Sequence, residues 1–104
     1  MIQAKFFESD GNFKGFSVSG HAGYAESGKD IVCAAVSSAV QLASNILTDG
    51  LKISASVSAK NNVVTLSINK VDKSADMVIA MLKAHLEFIS EEFPKKIKIT
   101  TLEV

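Results

Sequence analysis

The sequence predicts an α+β fold: a mixed sheet with two helices packed on one face, in the order ββαββαβ. Three observations carry this prediction. Ile31 to about Thr48 and Lys73 to Phe93 repeat apolar residues at helical spacing. Short β-compatible segments flank both stretches. Both helical stripes are buried most simply against one sheet. The pattern leaves the strand order open.

Ile2 to Phe7 is short, apolar-rich and β-compatible, and Asp10-Gly11-Asn12 is a turn signal. Phe13 to Ser19 alternates imperfectly and reads as the return strand of a hairpin. Gly20 to Asp30 holds three glycines with little periodicity and reads as a loop, long for so small a domain. In the helix from Ile31, Ser37, Gln41, Ser44, Asn45 and Thr48 mark a polar face, and Val32, Val36, Ala39, Ala43, Ile46 and Leu47 an apolar one. Asp30 is placed to cap its start and Gly50 to stop it.

Leu51 to Ser58 and Val63 to Asn69 alternate like strands around a Lys60-Asn61-Asn62 turn. The second helix carries an apolar stripe of Ala75, Val78, Ile79, Leu82, Leu86, Ile89 and Phe93, and Pro94 ends it. Ile97 to Val104 reads as the last strand. Phe6, Phe7, Phe13 and Phe16 cluster in the first hairpin as core, with one or two available to line an apolar pocket. Lys95, Lys96 and Lys98 form a basic run suited to a solvated strand edge.

The 104 residues fit one domain, 1–104, large enough to bury a core without metal or disulfide staples. Lys plus Arg and Asp plus Glu number 11 each, so the basic excess of a generic nucleic-acid binder is missing. Cys33 is the only cysteine, which rules out a disulfide within the chain and suits a reducing, cytoplasmic setting. The first residues lack the apolar core of a signal peptide. No apolar run is expected to reach the ~20 residues that cross a bilayer, so neither a membrane nor a nucleic acid is expected as a partner.

The chemistry concentrates in Gly20-His21-Ala22-Gly23-Tyr24 and Gly28-Lys29-Asp30-Ile31-Val32-Cys33-Ala34-Ala35-Val36-Ser37. His21 falls where a strand ends and a loop begins, and Cys33 in the first turn of the next helix. Backbone N–H groups there favour a thiolate, the nucleophilic form of cysteine, and a nearby histidine activates it further. The same N–H groups are candidates for an oxyanion hole. Ser37, four residues on, shares the helical face of Cys33 and is placed to orient the thiol or His21. A capping Asp30 points its carboxylate at the backbone, so a structural role is favoured over orientation of His21. Composition and spacing alone leave the bland readings standing: most cysteines outside disulfides are inert core, a histidine at a strand end is commonly structural, and glycines permit turns.

These two motifs resemble the ribosomal-processing cysteine proteases, the Prp family. The likeness lies in Gly20-His21-Ala22, in Asp30-Ile31-Val32-Cys33-Ala34-Ala35-Val36-Ser37, and in the spacing between them. The resemblance implies that small α+β fold and a protease that removes an N-terminal extension from the large-subunit ribosomal protein bL27, cutting beside a hydrophobic, phenylalanine-containing motif. It implies Cys33 as nucleophile and His21 as base, with Asp30, Ser37 and Gly20 matching further family positions. Ala22 to Lys29, including Gly23, Tyr24 and Gly28, would be the segment that orders over bound substrate; Tyr24 either contacts substrate or anchors the closed loop. It also implies a homodimer and neither metal nor organic cofactor.

Three rival readings remain. A non-catalytic module that binds a ribosomal protein or an assembly intermediate would keep Cys33 as buried core. A zinc site of His21, Asp30 and Cys33 would hold one soft ligand and lacks a supporting ligand pair. A thiol redox sensor would need a resolving cysteine from a partner. His85, beside the second apolar stripe, reads as structural or surface.

Overall fold

A computed structural model describes residues 1–19 and 31–104. The elements are β1 (Ile2–Ser9), β2 (Asn12–Ser19), α1 (Ile31–Asn45) continued by a π-helical turn (Ile46–Gly50), β3 (Ala55–Lys60), β4 (Val63–Ile68), α2 (Lys73–Glu92) and β5 (Ile97–Glu103). The strands form one sheet in the order β3-β4-β2-β1-β5. Every pairing is antiparallel except β1 with β5, which run parallel. The expected ββαββαβ order and mixed sheet are therefore present, and the order across the sheet is resolved.

Both tight hairpins are dictated locally. Asp10 and Gly11 take φ of 51° and 82°, and Asn61 and Asn62 take 55° and 61°. Positive φ at both central residues is the two-residue turn whose twist matches paired strands, and these residue types tolerate it. Between Phe7 and Glu8 the register slips, because Phe7 pairs with Gly15 and Glu8 with Phe13. Lys14 is the extra residue of this bulge.

One sheet face is apolar and buried. Phe6, Phe16 and Leu66 lie side by side across β1, β2 and β4, and all are fully buried. Ile2 pairs with Ile97 and Ala4 with Val18 on the same face. The helices cover it with Val32, Val36, Val40, Ala43 and Leu47 from α1 and its π turn, and Ala75, Ile79, Leu82, Leu86 and Ile89 from α2. The opposite face is polar: Gln3 and Lys5 are exposed, and the Ser17 and Thr65 hydroxyls meet at 3.2 Å. Such alternation is what places the core on one side.

Several expectations are corrected. The α-helix stops at Asn45, and Gly50 does not take the left-handed stop conformation; Lys52 does, with φ of 56°. The π turn places Leu51 N–H on the Ile46 carbonyl at 2.7 Å, and Ile53 N–H bonds the Leu47 carbonyl, so the third strand begins at Ala55 instead of Leu51. Ile46 and Phe93 lie at the surface, whereas Val40 joins the core. The 20 residues Ile31–Gly50 are long and apolar enough to cross a membrane, contrary to the expectation that no run reaches that length. Here their buried side chains close the core over the sheet.

α2 is fixed at its start by Asp72, whose carboxylate accepts the Ala75 N–H at 2.9 Å. This satisfies one of the N–H groups left over at a helix start. Lys98 lies on β5, an edge strand, as its basic run suggested.

Candidate active site

Cys33 is the third residue of α1, inside its first turn. The first N–H groups of a helix have no carbonyl partner within it, so Cys33 stands among donors suited to negative charge. The core of α1 runs along Val32, Val36, Val40 and Ala43. Cys33 is beside that row, half-buried, and outside the core cluster. That placement differs from the fully buried cysteine expected of an inert core residue. Ser37, one turn further on, is exposed. Neither residue is without an interaction partner.

The remaining sequence-derived site residues, Gly20, His21, Ala22, Gly23, Tyr24, Gly28 and Asp30, lie outside the described residues. So do two of the three ligands of the zinc alternative. Among the described residues no group of three His, Cys, Asp or Glu side chains is placed to hold a metal ion.

Among the described residues, hollows open on two sides of α1. The larger, about 570 Å³, runs between the outer surfaces of α1 and α2, from Ala35, Ala39 and Leu42 to Met77, Met81 and His85. His85 is exposed there and stacks on Phe88 at 6.2 Å, a surface position as the sequence suggested. The smaller, about 220 Å³, lies between α1 and the β3–β4 end of the sheet. Its α1 wall is Val36, Ser37, Val40, Gln41 and Ser44. Cys33, Ser37, Gln41 and Ser44 succeed one another at helical i, i+4 and i+3 steps, so they form one row. The smaller cleft thus extends the Cys33 row, and the larger groove does not. Sequence reasoning missed this cleft, because its far wall on β3 depends on the strand order.

A half-buried thiol in the first turn of a helix, with that helix laid on an α+β sheet, is placed where unpaired backbone N–H groups would favour a thiolate. The family profile described as cysteine protease Prp matches residues 1–98, and the chain belongs to that family. It is a cysteine protease by that membership. Among solved structures, the ribosomal processing protease Prp from S. aureus bound to a substrate peptide has the same fold, with a TM-score of 0.88 at 20% identity over 98% of this chain and 100% of that one. The same protease with a covalently linked product peptide superposes with a TM-score of 0.87 at 22% identity, over 98% of this chain and 100% of that one. SMU.848 from Streptococcus mutans is 25% identical, with a TM-score of 0.80 over 100% of this chain and 96% of that one. No curated protein sequence matches this chain.

Proposed function

We propose that this chain is a cytoplasmic cysteine endopeptidase that removes the N-terminal extension of ribosomal protein bL27, with Cys33 as nucleophile and His21 as base. The observation that carries the reading is the position of Cys33: first turn of α1, half-buried beside the core, in a chain of the cysteine protease Prp family. The peptide-bound structures of the S. aureus ribosomal processing protease, which shares the fold, support a peptide substrate from ribosome assembly. A sole thiol that has to stay reduced supports the cytoplasmic assignment.

In the proposed reaction His21 takes the thiol proton of Cys33, and the thiolate attacks the scissile carbonyl. N–H groups of the first turn stabilise the oxyanion. His21 then protonates the leaving amine, and water resolves the acyl-enzyme with release of the new carboxylate and regeneration of the thiol. Ser37 positions the pair, Asp30 caps the helix that carries Cys33, and Gly20 precedes the base. No metal or organic cofactor enters these steps.

The active species is proposed to be a homodimer. Leu42, Met77, Met81 and Phe88 are each more than half exposed along the outer helix face. Four large apolar side chains on one face are more than a monomer commonly leaves in water.

The test is incubation of bL27 precursor with the protein and with Cys33→Ala, read by mass spectrometry. One defined cut, lost in the variant, is expected. A cut that persists in Cys33→Ala removes Cys33 from the role; no cut by either protein removes the substrate assignment.

A further inference from the structure

We propose that the cleft between α1 and the β3–β4 end of the sheet binds one apolar side chain of an extended peptide, about three residues from the bond cut at Cys33. The distance to the cut rests on the reading of Cys33 as nucleophile; the cleft itself rests on four features of the structure.

The first is an uncovered stretch of sheet. Val57 and Ala59 pair with Leu66 and Val64, so they stand on the helix-covered face. Leu66 is completely buried, yet Val57 beside it is 50% exposed. The helix layer therefore ends short of the sheet, and β3 overhangs it. The second is lining chemistry. Val18, Val36, Val40, Val57, Ala59 and Val64 make an apolar hollow of about 220 Å³. Its charged residues number zero among the described lining, which suits an apolar side chain and disfavours an ionic one. The polar groups are Ser37 and Gln41, both exposed, and Ser44, whose buried hydroxyl oxygen has no hydrogen-bond partner among the described residues.

The third feature is the edge itself. Among the described residues β3 pairs only with β4 and ends the sheet. An extended segment laid beside an edge strand gains main-chain hydrogen bonds and directs alternate side chains to one face. The fourth is continuity with the thiol. Ser37 belongs both to the row of Cys33 and to the cleft wall. Cys33 to Val40 spans seven helical residues at roughly 1.5 Å each, about 10 Å. An extended peptide covers that distance in about three residues.

The test separates binding from cleavage. Fluorescein-labelled peptides across the bL27 precursor junction, each with one apolar residue changed to Ala, are titrated by anisotropy against Cys33→Ala. One position, two to four residues from the junction, is expected to weaken binding about tenfold or more when changed. Adding Val57→Trp fills the cleft and is expected to weaken the parent peptide equally and erase that difference. Val57→Lys serves in its place if the tryptophan variant unfolds by circular dichroism. Failure of any peptide to bind, or discrimination that survives both Val57 variants, overturns the cleft. Cleavage is scored separately with Cys33 intact: position-selective binding without a cut removes the nucleophile assignment and supports the cleft. A cut made with unchanged kcat/KM by Val57→Trp removes the cleft and keeps the nucleophile.

Discussion

The backbone N–H of Phe13 donates to Asp76 Oδ1 at 2.7 Å, so the bulged start of β2 is tied to the first turn of α2. The bond joins residues far apart in sequence, at a point where the bulge has already disrupted the β1–β2 ladder. Without Asp76, the half-buried Phe13 N–H would lose its acceptor. Hydrogen bonds to charged groups contribute about 1.5–3 kcal/mol. Asp76→Ala is therefore expected to lower stability by about 2 kcal/mol in urea unfolding. Asp76→Asn, which keeps a neutral acceptor, should recover part of it. Equal stability of Asp76→Ala and the parent would show that water replaces the carboxylate without cost.

Gly15 presents a sharper constraint. A Cβ built there would stand 2.2 Å from the Leu66 carbonyl oxygen on β4. Backbone lies on both sides of that contact, so relief requires the β2–β4 ladder to move. Gly15→Ala is expected to cost about 3 kcal/mol or to prevent folding, in line with overpacking of a close-packed interior. Thermal melting followed by circular dichroism checks it, and an unchanged Tm would contradict the close approach.

Removing the α2 cap should produce a smaller loss. Asp72→Ala leaves the Ala75 N–H without its acceptor, and cap deletions of this type cost about 1 kcal/mol. Asp72→Ser should restore most of it in the same unfolding measurement. The ordering Gly15→Ala, then Asp76→Ala, then Asp72→Ala is itself a prediction.

The thiol offers a chemical test that needs no substrate. Cys33 is half-buried, so iodoacetamide should label it in the folded protein at pH 7, below the pKa of about 8.5 of an ordinary thiol. Intact-mass measurement reads the added group. Labelling confined to urea-unfolded protein would return Cys33 to the role of inert packing.

The outer helix face gives the last prediction. Met81 is 60% exposed beside Met77 on the outer face of α2. Met81→Glu is expected to convert a dimer to a monomer in light scattering, with a stability change within about 0.5 kcal/mol for the isolated fold. A parent protein that runs as a monomer at every concentration would end the homodimer reading.

Much of this architecture was legible because its signals are local. The Asp10-Gly11 and Asn61-Asn62 turns specify their own backbone, and the Ala75, Ile79, Leu82, Leu86 stripe specifies which side of α2 is buried. Where the prediction slipped, a competing turn or the place of an element in the sheet decided the outcome. Leu51 alternates as a strand residue should, yet the π turn captures its N–H. Ile46 and Leu47 both fit the apolar face of α1, but only Leu47 continues the Val40 and Ala43 row into the core, and Ile46 lies at the surface. Val57 stands on the helix-covered face, and the position of β3 at the sheet edge leaves it half exposed. For the candidate site, Cys33 in the first helical turn was readable from Asp30 and the following periodicity. Its closeness to an apolar cleft was not, since that depends on strand order. His21 and Asp30 lie outside the described residues, and their roles rest on the motifs alone.

The parallel partnership of β1 with β5 bears on how the chain acquires its shape. Ile2 pairs with Ile97, and the Ile2 N–H bonds the Lys96 carbonyl at 2.9 Å. β1 thus waits for a partner that a ribosome would synthesise nearly ninety residues later. Until β5 emerges, one margin of β1 has no neighbour, and contacts of such long sequence separation are slow to close. A shortened chain lacking β5 would carry that open margin permanently, as a template for aggregation.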